Sequence, residues 1–291
     1  MRSVSLTSSF AAVLFTLALI GCAHKDAKTS NLTSAKPALP ESLQKSVFAE
    51  SRGCFLLYDM KSDAFIKVVG EEICRERFVA SSTFKVPLAV MAFDSGALRD
   101  EKQILKWDGK KESRPEVNRD HDAQTWMRDS VVWFSKRLTP KIGLAKIQKY
   151  LRDFKYGNED MTGGLREAWL VSPGLPDPAL RISAYEQVEF LKSLWRDQLP
   201  VSKRAMQLTR EITYLETSPQ GYRLNGKTGS NFFDREHTKH LGWFVGHIEK
   251  DGREYLVATV FSDLDPSIEP GFGGPRAKMM TKQWLASENL W

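Results

Sequence analysis

Trp243-Phe244-Val245-Gly246-His247-Ile248-Glu249, then Lys250 and Asp251-Gly252, then Arg253-Glu254-Tyr255-Leu256-Val257-Ala258-Thr259-Val260-Phe261 make up the most regular stretch of this 291-residue chain. Both arms are rich in β-branched and aromatic residues, and Asp-Gly readily takes the positive φ angles of a tight two-residue turn. The stretch predicts two antiparallel strands. A second hairpin is expected from residues 53–59 and 64–69, two apolar runs joined by a polar turn at 60–63. With one hairpin near each end, an antiparallel sheet must be assembled from both ends of the chain. Between them the spacing turns helical, over 87–96, 142–153 and 183–195. In the last of these Tyr185, Val188, Leu191, Leu194 and Trp195 share one face, and Ser183 is placed to cap the start. Residues 276–285 predict a further helix laid against the sheet.

Composition sets broad limits. Hydrophobic residues make up 42% and aromatic residues 11%, enough for a substantial core. The formal charge of +6 comes from lysines and arginines scattered among 36 acidic residues, with no long basic block. It reads as a solvated basic surface that attracts small anions, and it gives no footprint for nucleic acid.

Four short sets carry the chemistry: Ser82-Thr83-Phe84-Lys85, Ser130-Val131-Val132, Tyr156-Gly157-Asn158 and Lys227-Thr228-Gly229. A serine hydroxyl is a poor nucleophile at neutral pH unless a base lies within hydrogen-bond reach, and a lysine three residues on projects from the same face of a helix. Ser-x-x-Lys alone is weak evidence, since Ser42 and Lys45 repeat it. Only the pair Ser82 and Lys85 has the other sets downstream. A lysine acts as a base only where a low-dielectric pocket favours the neutral amine, and Phe84, Val132, Trp169 and Leu170 are the candidates to build one.

The order and spacing of these sets resemble the class D (OXA-type) serine β-lactamases, within the penicillin-recognising superfamily. The resemblance extends to Ala168-Trp169-Leu170, to Arg181-Ile182-Ser183-Ala184 with Glu186-Gln187-Val188, to Leu241-Gly242-Trp243-Phe244-Val245-Gly246, and to Arg276. It implies an α/β (α+β) fold of the β-lactamase/transpeptidase type. In that fold helices flank both faces of the antiparallel sheet, a mostly helical lobe is inserted at about residues 97–182, and the active site lies in the cleft between. It implies hydrolysis of small-molecule β-lactams through an ester on Ser82. Lys85 would be carboxylated by carbon dioxide to N6-carboxylysine, and its carbamate would serve as general base for acylation and deacylation. Trp169 would donate its indole N–H to that carbamate, and Ser130 would pass a proton to the lactam nitrogen. Lys227 would be a fixed positive charge near Ser130, Thr228 a hydroxyl donor to the substrate carboxylate, and Gly229 a point of close approach. The backbone N–H groups of Ser82 and Ser230 would form the oxyanion hole, and Arg276 would hold the drug carboxylate bidentately. Val132 stands where many penicillin-binding relatives carry asparagine, which points to the hydrolase branch. Residues 171–180, with Pro173, Pro176 and Pro178, are longer than the family's usual connection. Two rival readings share the motifs: a sensor domain that acylates without turnover, and a cell-wall transpeptidase or carboxypeptidase.

The N-terminus adds a second signal. Arg2 precedes an apolar run over 10–20, too short to span a bilayer, and Leu19-Ile20-Gly21-Cys22 resembles a lipoprotein cleavage box. Residues 1–21 are expected to be a lipoprotein signal peptide, Cys22 the lipidated first mature residue, 22–45 a flexible tether, and 46–291 the catalytic domain. An ordinary signal peptide with an incidental cysteine is the alternative. The expected location is the periplasm, with membrane contact through the lipid anchor only. Cys54 and Cys74 then remain, as one disulfide or as two buried thiols. No metal site is expected, His237 and His240 reading as part of a solvated loop, and no dissociable cofactor beyond carbon dioxide or bicarbonate. A dimer is allowed, though the sequence does not specify one.

Overall fold

Ser51–Asp59 (β1) and Ala64–Val69 (β2) form the first hairpin, and His240–Lys250 (β7) and Arg253–Asp263 (β8) the second. β1 pairs with β8 in antiparallel register, Cys54 opposite Val260 and Leu56 opposite Ala258, so the two ends of the chain meet in mid-sheet. With Tyr214–Thr217 (β5) and Arg223–Phe232 (β6), the six strands run in the order β2-β1-β8-β7-β6-β5. Asp251 and Gly252 take φ of 51° and 73°, the positive values that the β7–β8 turn demands. This computed structural model describes residues 47–48, 51–170, 179–233, 238–264 and 273–291, which fall within one compact unit, Leu39–Trp291. The signal peptide, the whole tether with Cys22 and the Ser42–Lys45 pair, His237 and residues 171–178 of the proline-bearing loop lie outside the described residues.

Alternation along the strands assigns the two faces. In β1, Cys54, Leu56 and Tyr58 join one buried cluster, while Phe55 and Leu57 join another on the opposite face. In β8, Leu256, Ala258 and Val260 fall on the first side, and Tyr255, Val257 and Phe261 on the second. Both faces are therefore covered, which is why these strands read as nearly continuous apolar runs. Gly273–Ser287 (α8) lies on the second face with Ala277, Met280, Trp284 and Leu285, and Trp284 stacks on Phe55 at 5.6 Å. It runs longer than the 276–285 span predicted from sequence.

The other face carries Lys85–Asp94 (α2) and Ala184–Trp195 (α6). The latter starts with a full capping box, Ser183 accepting from the Glu186 N–H and Glu186 from the Ser183 N–H. Between α2 and α6 lie Ala123–Arg128 (α3), Val132–Ile142 (α4) and Leu144–Phe154 (α5), the inserted helical lobe. Glu71–Arg75 (α1) follows β2, and Lys203–Ile212 (α7) leads into β5. α1 brings Cys74 to β1, where it is bonded to Cys54 with the Cα atoms 5.1 Å apart. A two-stranded ladder, Phe78–Val79 (β3) with Arg181–Ile182 (β4), joins the segment before Ser82 to the segment after the proline loop.

Candidate active site

Ser82 does not open an α-helix as expected. Ser81–Phe84 form a 3-10 turn, and α2 begins only at Lys85. Three residues per turn, rather than 3.6, stack side chains i and i+3 directly over each other. Lys85 Nζ consequently lies 3.0 Å from Ser82 Oγ. Lys85 is wholly buried, while 8% of Ser82 reaches solvent.

Several contacts hold this turn. Thr83 Oγ1 donates to the Ala80 carbonyl at 2.5 Å and accepts from Gln187 Nε2 at 2.8 Å. The Ala80 N–H donates to the Leu180 carbonyl at 3.2 Å, and the Leu180 N–H to the Ala168 carbonyl at 2.8 Å, so the Trp169 segment is tied to the nucleophile turn. Asn158 braces the same region, its Nδ2 donating to the Ala179 carbonyl at 2.6 Å and its Oδ1 accepting from the Arg181 N–H at 2.9 Å. Gly157, at φ 61°, sits against the Arg181 carbonyl, where a Cβ would come within 2.0 Å of the oxygen. Tyr156 packs near Phe84, ring centroids 6.3 Å apart.

The electrostatics follow from burial. An ammonium withdrawn from water loses hydration that the single Ser82 hydroxyl does not make good, and the positive charges of Lys227 and Arg114 add repulsion, so the Lys85 amine is held well below the ordinary lysine range. Lys227 is similarly affected. Its amine contacts the Thr228 carbonyl at 2.9 Å and hydroxyl at 3.2 Å, and burial, then Arg114, push its pKa down to about 7. The sequence reading made Lys227 a permanent cation, whereas desolvation makes it titratable near neutrality. Trp169 lies against Phe84 at 4.9 Å and is fully buried. Its indole Nε1 has no hydrogen-bond partner among the described residues. A buried N–H without an acceptor costs about 1–3 kcal/mol.

A cleft of about 440 Å³ opens over Ser82. Ser130 and Val132 line it from the helical lobe, Thr228 and Ser230 from β6. Ser130 lies in the corner between α3 and α4 rather than in a helix, at φ 55°, a left-handed conformation costing about 1–3 kcal/mol for a non-glycine residue. Gly229 faces away from the cleft. A Cβ there would press on Trp243 Cβ at 3.1 Å, Ser81 Cβ at 3.2 Å and Thr83 Cγ2 at 3.3 Å, so the glycine serves the approach of β6 to the nucleophile turn rather than that of a substrate. The Gly274 N–H donates to Ser230 Oγ at 2.8 Å, which brings the start of α8 to the cleft rim.

Arg276 departs from its expected place. Its Nη1 and Nη2 donate to Asp263 Oδ2 and Oδ1 at 2.9 and 2.8 Å, and its guanidinium lies over Phe261 at 4.6 Å. Asp263 is buried, and it also accepts from Ser51 Oγ at 3.3 Å. A desolvated carboxylate takes the nearest fork of donors, which is why the bidentate partner is internal. Among the described residues Arg276 is absent from the cleft lining, although its neighbour Pro275 belongs to it. The sequence reading gave no role to Gln187, Asp263 or Arg114. Gln187 stood inside a quoted motif, but only the fold shows that it reaches Thr83.

A serine hydroxyl beside a buried lysine amine thus shares one cleft with the Lys-Thr-Gly strand. Residues 53–284 match the family model described as the penicillin binding protein transpeptidase domain. The chain belongs to this penicillin-recognising superfamily and, within it, to the class D serine β-lactamases. It is 40% identical to beta-lactamase OXA-1 of Escherichia coli over 235 residues, 77% of this chain and 82% of that protein. It is 34% identical to the probable beta-lactamase YbxI of Bacillus subtilis (strain 168) over 243 residues, 84% and 83% of the two chains. Among solved structures, a class D β-lactamase from Bacillus subtilis superposes with a TM-score of 0.74 at 32% identity, covering 84% of this chain and 95% of that one.

Proposed function

We propose that this protein hydrolyses β-lactam antibiotics through a covalent ester on Ser82, with Lys85 in its carboxylated form as the general base. The observation that carries the reading is the wholly buried Lys85 amine 3.0 Å from Ser82 Oγ. Ser82 Oγ attacks the lactam carbonyl and its proton passes towards Lys85. The backbone N–H groups of Ser82 and Ser230 face the developing oxyanion, and Ser130 delivers a proton to the ring nitrogen as the C–N bond breaks. Thr228 donates to the substrate, and Lys227 supplies positive charge in its protonated state. Water then attacks the ester and returns Ser82 to its free form.

The chemistry of the residues around Ser82 supports carbon dioxide as the partner of Lys85. A neutral amine is the form that captures it, and the unpaired Trp169 N–H is a donor in want of an anionic acceptor. Bound as a carbamate on Lys85, it supplies a carboxylate-type base that remains available after the ester has formed. Val132, half-buried at the cleft wall, and Phe84, fully buried, limit the water that would favour the protonated amine. The N-terminal pattern extends the proposal to a periplasmic enzyme held at the membrane by lipid on Cys22. Cys22→Ser should move it to the soluble fraction, and retention on membranes would remove that part.

The test of the main reading is turnover of a chromogenic cephalosporin with and without added bicarbonate. Many turnovers per active site, faster with bicarbonate and abolished in Ser82→Ala, are expected. A single stoichiometric burst with no further product would make the chain a β-lactam sensor and overturn the hydrolase proposal.

A further inference from the structure

Three guanidinium groups lie at or beside the cleft, and their partners separate them. Arg276 is committed to Asp263 through two hydrogen bonds. Arg128 is committed to Asp129 in the same way, its Nε and Nη2 donating to the two carboxylate oxygens at 2.7 and 3.0 Å, with 62% of its side chain in solvent. Arg114 is different. It precedes the short 3-10 turn Pro115–Val117 on the helical-lobe side, and Nη2 donates to the backbone carbonyl of Asp129 at 2.5 Å. The carboxylate nearest to it in the described structure is that of Glu116, 3.7 Å from Nη1, beyond a good hydrogen bond and on a side chain 59% exposed. One corner of the planar fork is thus fixed by backbone, and its remaining donors hold no carboxylate at hydrogen-bond distance among the described residues.

Position completes the argument. Arg114 lines the same cleft as Ser82, Ser130, Thr228 and Ser230. In a bicyclic β-lactam the carboxylate is carried on an atom attached to the ring nitrogen or one further along. If Ser82 takes the carbonyl and Ser130 serves the nitrogen, the carboxylate falls on the Ser130 side of the cleft, whose lining also includes Thr228, Ser230 and Arg114. The charge of Arg114 is already felt at the two buried amines nearby, where it disfavours the protonated forms of Lys85 and Lys227. A bound anion would offset that charge.

We infer that Arg114, from the helical lobe, is the residue that binds the substrate carboxylate, and that Arg276 is a structural partner of Asp263. This rests on the proposed attack by Ser82. Glu116 then acts as a competitor for the same guanidinium and weakens the hold on anionic substrates.

The experiment compares a penicillin with its methyl ester, which keeps the lactam and removes the charge. Binding is measured by calorimetry on the Ser82→Ala protein, where no ester forms, and KM and kcat on proteins with Ser82 intact. Loss of a charge-assisted fork predicts that Arg114→Gln lowers the affinity ratio of acid to ester by about tenfold to a hundredfold. Arg276→Gln should leave the ratio within about twofold, and Glu116→Gln should raise it. Arg114→Lys, which keeps the charge without the fork, should restore part of the preference. An unchanged ratio in Arg114→Gln, or a ratio that collapses in Arg276→Gln, would overturn the assignment. Because the binding arm needs no catalysis, an absence of turnover in the intact protein would count against the hydrolase proposal and leave this measurement decisive on Arg114.

Discussion

Trp169→Phe isolates one atom. Phenylalanine keeps a ring against Phe84, now 4.9 Å from Trp169, and removes the indole N–H that has no acceptor among the described residues. In protein freed of carbon dioxide, that N–H costs about 1–3 kcal/mol of desolvation, and losing it offsets much of the packing lost with the larger ring. Stability of the carbon dioxide-free variant should therefore fall by no more than about 1–2 kcal/mol. With bicarbonate the balance reverses, because the wild-type N–H gains an anionic acceptor in a bond worth about 1.5–3 kcal/mol. The concentration of bicarbonate that half-saturates Lys85 should then rise about tenfold to a hundredfold in the variant. Titration with carbon-13 bicarbonate, followed by NMR of the lysine carbamate, measures it directly. A parallel melting series should show wild type gaining more stability from bicarbonate than Trp169→Phe, as ligand linkage requires. Equal half-saturation in the two proteins would mean that the indole does not serve the carbamate, and the assignment of Trp169 would fall.

Three further outcomes follow from the geometry. Lys227 has its folded pKa lowered to about 7, so the unfolded state holds the extra proton from there up to the ordinary lysine value. Relative to Lys227→Met, wild type should gain stability by up to about 1.4 kcal/mol per pH unit from pH 7 upward, measured by denaturant titration, and a flat difference would contradict the burial argument. Replacing Cys54 and Cys74 together by serine opens a loop of sequence separation 20 and should cost about 3 kcal/mol, seen as a lower melting temperature with kcat preserved. Asp263→Ala leaves Arg276 without its carboxylate, and breaking that buried pair should cost about 3 kcal/mol or more, against less than 1 kcal/mol for a surface pair such as Lys106–Asp120.

Much of the fold was legible because it rests on local signals. The β-rich apolar runs of β1 and β8, the Asp251-Gly252 turn, the helical spacing over 183–195 and the Ser183 cap are such signals, and the sheet with its capped helix follows from them. The nucleophile pair was legible too, but its geometry was not. Ser-x-x-Lys suggests a helix start, and only the tertiary contacts of Thr83 with Gln187 and of Ala80 with Leu180 make it a 3-10 turn. Partner choice was the least legible feature. Arg276 beside a glycine-rich loop looks free to bind an anion, and nothing near it in sequence reveals that Asp263 ends the strand opposite Ser51 and points its carboxylate at the same guanidinium. Arg114 looks like one more surface charge in a polar stretch.

The same physics accounts for three of the basic side chains at the site, Lys85, Lys227 and Arg114. Among the described residues Lys85 and Lys227 are buried without carboxylate partners, so the charged form of each is disfavoured, most strongly at Lys85 beside Ser82. Arg114 is held by the Asp129 backbone carbonyl at 2.5 Å, and among the described residues its nearest carboxylate is that of Glu116 at 3.7 Å. The substrate's carboxylate is the bidentate partner that our assignment gives it. Excluding water thus separates the roles residue by residue: Lys85 becomes the proton acceptor, Lys227 titrates near neutrality, and Arg114 is the anchor.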